Sequence, residues 1–253
     1  MNTFEWCGYN WTCEMDGHSI IHPDQPWMWY SLSTIRIDNN SQLELFIEKN
    51  PKYVSHYNGK TYHPKYEAST MRSIEDFSYG IFSAEIMLPT GRNLWPSFWL
   101  TGSKNWPPEI DIMEAWSGDC GYFKWFIAQP PYLSPSWRTT TNVHYNNEVL
   151  EHKSSGSRNI SIFKQPLEPS ENWIEYKCKW EPKKITFYAN DKVVREIKGY
   201  ECQQLTKNLK DPDKGFKMNV IFNVWIENPD KHKIDMVQPM LVRNFKYISY
   251  EKD

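Results

Sequence analysis

The sequence predicts an all-β chain, a sandwich of two antiparallel sheets, and three observations lead there. The 17 Pro and 11 Gly punctuate the chain about every ten residues. Between these breaks, apolar and polar side chains alternate with period two, the mark of a strand with one buried face. Helical periodicity is confined to one short stretch, Tyr200–Lys210. Many short strands joined by frequent turns fit packed sheets. With 253 residues and no internal repeat, low-complexity tract or Ser/Gly linker, a single domain over 1–253 is expected.

In chain order, the first informative strand is Trp95-Pro-Ser-Phe-Trp99. Trp95, Ser97 and Trp99 share one face, while Phe98 and Leu100 share the other. A strand with three acids follows between Trp106 and Trp116. Over Trp173–Trp180, Ile174, Tyr176, Cys178 and Trp180 alternate with Glu175, Lys177 and Lys179. Ile185–Ile197 reads as strand, turn, strand. Its turn is Asn190-Asp191, two residues that tolerate the left-handed backbone a tight hairpin needs. From Met218 onward, Met218, Val220, Phe222, Val224 and Ile226 make an apolar face. Asn219, Asn223, Trp225 and Glu227 make the opposite one, as expected for the floor of a polar groove.

Composition narrows the partner. Aromatics are 16% of the chain and include 13 Trp, more than a core of this size requires. The surplus suits stacking on flat apolar faces such as sugar rings. A net charge of −2 lacks the basic excess that nucleic-acid phosphates demand, and no apolar run approaches the ~18–20 residues of a membrane span. Neither nucleic acid nor a membrane is therefore expected as a partner, and a monomer is. Residues 1–13 are polar and aromatic rather than charged-then-apolar. An extracellular or periplasmic location, after loss of a signal, is expected, with the cytoplasm as the alternative. Cys7, Cys13, Cys120, Cys178 and Cys202 are odd in number and form neither a CxxC pair nor a zinc spacing. Buried free thiols are the expectation, with a Cys7–Cys13 disulfide as the alternative. His18, His22 and His63 show no ligand spacing.

The chemistry concentrates in Trp106-Pro-Pro-Glu-Ile-Asp-Ile-Met-Glu-Ala-Trp116. In a regular strand Glu109 and Asp111 share a face, and Glu114 points away from them. One extra residue, a β-bulge at Ile112-Met113, returns Glu114 and then Trp116 to the face of Glu109. Three carboxylates on one face repel one another, which points to use. Two carboxyls ~5–5.5 Å apart run a double displacement at a glycosidic carbon, one attacking and the other protonating the leaving oxygen. Ionised Glu109 and Asp111 would raise the pKa of Glu114 and keep it an acid. The competing reading is a solvated acidic surface strand. Six of the thirteen Trp lie between Trp95 and Trp137, around these acids, and favour the catalytic one.

These runs resemble glycoside hydrolase family 16. The likeness is carried by Phe77–Pro89, Leu94–Leu100, Trp106–Glu114, Asn142-Val-His-Tyr145, Tyr176–Pro182, Phe187–Lys192 and Met240–Ile248, in order over roughly residues 30–250. It implies a β-jelly roll with substrate lying across a concave face. It further implies Glu109 as nucleophile, Asp111 as its helper and Glu114 as acid/base. Trp95 and Trp99 would stack on sugars, Arg72, His144 and Asn223 would line the cleft, and Trp225 and Trp116 would also meet substrate, Trp116 ahead of Trp106. Arg72 would pair with Glu109 or Glu114, or touch a sugar hydroxyl. The unmatched segment Ser117–Arg138, with Tyr122, Trp125, Tyr132 and Trp137, is expected to build part of the cleft wall.

The six-residue ExDxxE spacing is that of the family's laminarinases, agarases, porphyranases and κ-carrageenases. A polysaccharide substrate cut endo-wise is implied, first a β-1,3-glucan. The alternative is a sulphated algal galactan, read by Arg92, Lys104, Lys124 and Arg138. A carbohydrate-binding protein without catalysis is the reading from another class. No cofactor or metal is expected. The structural calcium of many members, held by an Asp of the last strand, meets Arg243 at that position.

Overall fold

The computed structural model describes residues 3–14, 26–49, 54–57, 59–117, 137–147, 149, 151–156, 158–159, 168–206, 217–227, 229–231 and 233–250. Two sheets stack face to face. The larger follows the order Thr3–Trp6, Tyr9–Thr12, Tyr66–Ser73, Met218–Ile226, Leu94–Gly102, Glu109–Ser117, Trp137–Asn146 and His152–Ser154. The smaller follows Lys192–Lys198, Lys184–Ala189, Ile174–Glu181, Gly80–Met87, Met240–Ser249, Leu43–Leu45 and Ile35–Ile37. These neighbours run antiparallel, and one parallel pairing, Met28–Tyr30 on Tyr66–Ala68, extends the larger sheet. The expected all-β sandwich is what the chain forms.

The core lies between the sheets and is built by the alternation read above. Ile174, Tyr176, Cys178 and Trp180 are all fully buried from the smaller sheet, as are Phe98, Leu100, Val220 and Phe222 from the larger. Phe98 and Phe222 are cross-strand partners whose rings stack at 4.5 Å. Such a pair adds shape-specific contact to the area it removes from water. Both Asn190 and Asp191 have positive φ, 46° and 60°, so the hairpin turn forms where expected.

The short helix spans Tyr200–Thr206 and seats Cys202 and Leu205 in the core. Residues 207–210 of the expected helix lie outside the described residues. Among the described residues no helix is long and apolar enough to cross a membrane.

Two expectations are revised. Cys13, Cys178 and Cys202 are buried and form no disulfide, but Cys7 is exposed and is not bonded to Cys13. It occupies the tight turn between the first two strands with φ 52°, which turns its side chain outward. Trp137 is 2% exposed and belongs to the core, because its register partner Ser117 faces inward. It is no part of a cleft wall. Residues 118–136, with Tyr122, Lys124, Trp125, Tyr132 and Cys120, lie outside the described residues, as do His18 and His22. Arg243 donates to Glu85 Oε2 from Nε and Nη2 at 2.9 and 2.7 Å, and its guanidinium lies 4.0 Å from the ring centre of Trp173. That position on the last strand is thus occupied by an ion pair.

Candidate active site

The outer face of the larger sheet carries the site. Ladder register sets which side chains meet: Trp95 opposes Trp225, Ser97 opposes Asn223, and Thr101 opposes Asn219. On the other side of that strand, Ser97 opposes Glu114, Trp99 opposes Asp111, and Thr101 opposes Glu109. Between Asp111 and Glu114 the acidic strand advances three residues while its neighbour advances two, from Asn142 to Thr140. One residue is therefore extra, and the register places it at Ile112, between Asp111 and Met113. This bulge puts Glu109, Asp111, Glu114 and Trp116 on one face, as the sequence suggested. Ile112 and Met113 are both buried, which pins the bulge from below.

Each outer carboxyl has its own indole donor. Trp106 Nε1 donates to Glu109 Oε2 at 2.7 Å, and Trp95 Nε1 donates to Glu114 Oε1 at 3.2 Å. Asp111 sits between them, hydrogen-bonded to both glutamates, with its side chain 3% exposed. His144 Nε2 lies 3.3 Å from Glu109 Oε1 and 3.4 Å from Asp111 Oδ2.

Burial is the first cause of the raised pKa of all three carboxyls. Glu109 is pushed up to about 8, with the charge of Asp111 adding to burial while His144 and the Trp106 donor pull down. Asp111 is pushed up to about 7, against hydrogen bonds from both glutamates and the charge of Arg195. Glu114 rises well above the usual range, because after burial both other carboxylates oppose its ionisation and only Trp95 favours it. Protons on such a set belong to the cluster rather than to single residues. The surroundings still differ: Trp106 serves the Glu109 anion at 2.7 Å and Trp95 the Glu114 anion at 3.2 Å, and Glu114 is opposed by both other carboxylates.

The remaining expected residues spread along the same face. Trp99 Nε1 donates to Asn223 Oδ1 at 2.7 Å, and Trp225 Nε1 donates to Thr70 Oγ1 at 2.8 Å. Trp225 is also stacked on Tyr30 and edge-on to Trp95 and Trp99. Trp95 and Trp116 rings approach at 5.8 Å. Arg72 donates to Asn219 Oδ1 from Nε and Nη2 at 3.1 and 2.6 Å, on a strand separated from the acidic one by two others. Its guanidinium is thus turned to the Asn219 side of the face.

Exposure reverses one expectation: Trp116 is 7% exposed and Trp106 53%. The open indole is the one bonded to Glu109. Arg92, Lys104 and His63 are exposed, and the side chain of Arg138 lies outside the described residues.

Sequence reading passed over Asn142, His152 and Thr70. Asn142 had a signal, since it shares a strand face with His144 beside the acids. His152 had none. It reaches the site because His144 and Ser154 are paired across a hairpin.

Ligand-type atoms of Glu109, Asp111 and His144 lie within 4.8 Å of one another. They are also engaged mutually and with Trp106 and Asn142.

The sequence profile of glycosyl hydrolases family 16 matches residues 24–238. The chain belongs to that family. Solved structures share the family 16 fold at low identity. An endo-glucanase of this family from Bacteroides ovatus superposes with a TM-score of 0.63 at 18% identity, over 94% of each chain. A laminarinase from Flavobacterium sp. UMI-01 gives 0.57 at 19%, over 94% of this chain and 93% of that one. A curated relative, the galactan endo-beta-1,3-galactanase of Flammulina velutipes, is 34% identical over 109 residues. That match spans 42% of this family 16 chain and 42% of the relative.

Proposed function

We propose that the protein is a retaining, endo-acting glycoside hydrolase of β-1,3-linked polysaccharide, with a β-1,3-galactan as its main-chain substrate. The mechanism rests on one observation, that Asp111 bridges Glu109 and Glu114 on a single strand face. Two carboxyls joined through one aspartate fit the ~5–5.5 Å spacing of a double displacement, not the ~6.5–9.5 Å that leaves room for a water. The bulge at Ile112 supports placing the chain with the six-residue ExDxxE members.

In this reading Glu109 attacks the anomeric carbon, forming the glycosyl-enzyme as the glycosidic C–O bond breaks. Glu114 gives its proton to the departing oxygen, then takes one from the water that releases the sugar. Asp111 holds the nucleophile between attacks. Burial and the charges of Asp111 and Glu109 raise the pKa of Glu114 well above the usual range and favour its acid form, and neutralising Glu109 in the covalent intermediate lowers it at the moment a base is needed. Trp95 and Trp106 flank the two carboxyls as sugar platforms, and Trp99, Trp116, Asn223, Trp225, Arg72 and His144 shape the floor and ends of the cleft.

Galactan is placed ahead of glucan because the galactanase relative is 34% identical, whereas the glucanase structures, at 18 and 19%, speak to fold alone. The test is product release from linear β-1,3-galactan, laminarin, agarose and κ-carrageenan, with Glu109→Gln protein as control. Galacto-oligosaccharides of several lengths, first formed as the β-anomer, are expected from wild type only. Release from laminarin alone would move the substrate to β-1,3-glucan. No release from any polymer, with equal binding by wild type and variant, would mark a carbohydrate-binding protein.

A further inference from the structure

A chain of hydrogen bonds whose directions follow from one another runs from the second sheet to the acidic cluster. Arg195, on the strand Lys192–Lys198, donates from Nη2 to Ser155 Oγ at 2.9 Å. The backbone N–H of Val143 donates to the same oxygen at 3.1 Å. Arginine has no other role than donor, so the hydroxyl proton of Ser155 is free to go to Asn142 Oδ1, 3.1 Å away. Asn142 Oδ1 also accepts from the Val143 N–H at 2.9 Å and from Ser154 Oγ at 2.9 Å. A backbone N–H cannot be reversed, so the Asn142 amide is oriented with its Nδ2 toward His144 Nε2, 2.9 Å away. His144 Nε2 is then an acceptor, and the ring proton is on Nδ1. That nitrogen faces His152 Nε2 at 2.9 Å. His152 is itself packed against Trp106, ring centres 4.7 Å apart, and Trp106 closes the circuit on Glu109.

We propose that Asn142 and His152 are positioning residues that hold His144 as its Nδ1–H tautomer, so that Nε2 meets Glu109 and Asp111 with no proton to donate. This rests on the proposed roles of Glu109 and Glu114. The charged and titratable groups around His144 are Glu109 and Asp111 on the acidic strand, Glu114 beyond Asp111, and His152 across the hairpin. Lys153 lies next to His152, and Arg195 comes from the second sheet. Asp111 Oδ2 is buried with no hydrogen-bond partner of its own, and the His144 Nε2 lone pair beside it is taken by Asn142 Nδ2, so the cluster receives no proton from His144. A histidine donating from Nε2 would instead favour the anions of both carboxyls. The tautomer thus keeps a proton in the cluster, where glycoside cleavage needs one on Glu114.

The experiment is ¹⁵N NMR of imidazole-labelled full-length protein around neutral pH, with His144 and His152 assigned through single His→Gln variants. Wild type is expected to show His144 protonated at Nδ1 and bare at Nε2. In His152→Phe the Nδ1–H loses its acceptor, and the proton should move to Nε2. The acid limb of kcat/KM should then fall by about half a pH unit or more, because Nε2–H stabilises the Glu109 anion. His152→Gln, whose carbonyl oxygen accepts, should restore both. An Nε2–H signal in wild type, or a tautomer unmoved in His152→Phe, overturns the proposal. A merely structural His152 would change thermal stability and leave the tautomer and the limb in place. Protein inactive on every glycan but carrying the Nδ1–H tautomer would sink the hydrolase reading and leave this one standing.

Discussion

Trp106 Nε1 donates to Glu109 Oε2 at 2.7 Å although its indole is 53% exposed, whereas Trp95, the donor to Glu114, is half-buried. The two carboxyls are therefore served by indoles that differ in access to solvent. Each N–H favours the ionised form of its own partner. Removing one or the other should separate the two titrations.

Trp106→Phe keeps an aromatic face and deletes the donor. Loss of a hydrogen bond to a charged group costs about 1.5–3 kcal/mol, or roughly ten- to a hundredfold in kcat/KM. The pKa of Glu109 rises further, so the acid limb of the kcat/KM profile moves up in pH. A limb that stays in place would separate Glu109 from the nucleophile role.

Trp95→Phe acts on the other carboxyl. Glu114 loses the Trp95 donor that stabilises its charge, holds its proton to higher pH, and the basic limb moves up while the acid limb stays. Paired profiles of the two variants, measured on one substrate, check the assignment. Swapped limbs would exchange the roles of Glu109 and Glu114.

Stability should depend on pH with a definite sign. Glu109 has a folded pKa of about 8 against an ordinary 4.5, so the folded chain holds a proton that the unfolded chain has released. Stability carried by that proton is present below the unfolded value and is lost as pH rises through the folded one. Glu109→Gln removes the dependence of this group. Its urea midpoint should gain on wild type as pH is raised from about 5 to about 8, and equal slopes would refute the raised pKa.

The stacked pair Phe98 and Phe222 joins two neighbouring strands beneath the site. Either residue changed to Ala should cost about 3–5 kcal/mol, read from denaturant midpoints at constant m-value. The double variant should cost less than the sum, because the two rings share one contact. Additive losses would mean that the stack contributes nothing beyond burial.

The sequence by itself determined the fold class, because period-two alternation is a local property: Ile174 to Trp180 must face one way in any strand. It determined the three acids and the bulge as well. Glu109 and Glu114 share a face only if one residue is extra, and Ile112 and Met113, both apolar, are the ones the core accepts. The hairpin at Asn190-Asp191 was legible for the same reason, since left-handed backbone is a property of the residue.

Tertiary structure decided what lies across strands. Which Trp is open and which is closed depends on neighbours distant in sequence: Trp116 is covered beside Trp95, while Trp106 stays exposed against His152. Trp137 looked like a cleft residue because it ends an aromatic segment, yet its pairing with Ser117 turns it into the core. Arg72 was expected at the carboxylates or at a sugar hydroxyl; it donates to Asn219, and two strands separate it from the acids. His152, Asn142 and Arg195 carried no signal as a group. Their relation comes from a hairpin and a second sheet that bring residues 142, 152, 155 and 195 to one place, and hydrogen-bond direction then follows from two groups that can only donate, the Arg195 guanidinium and the Val143 N–H.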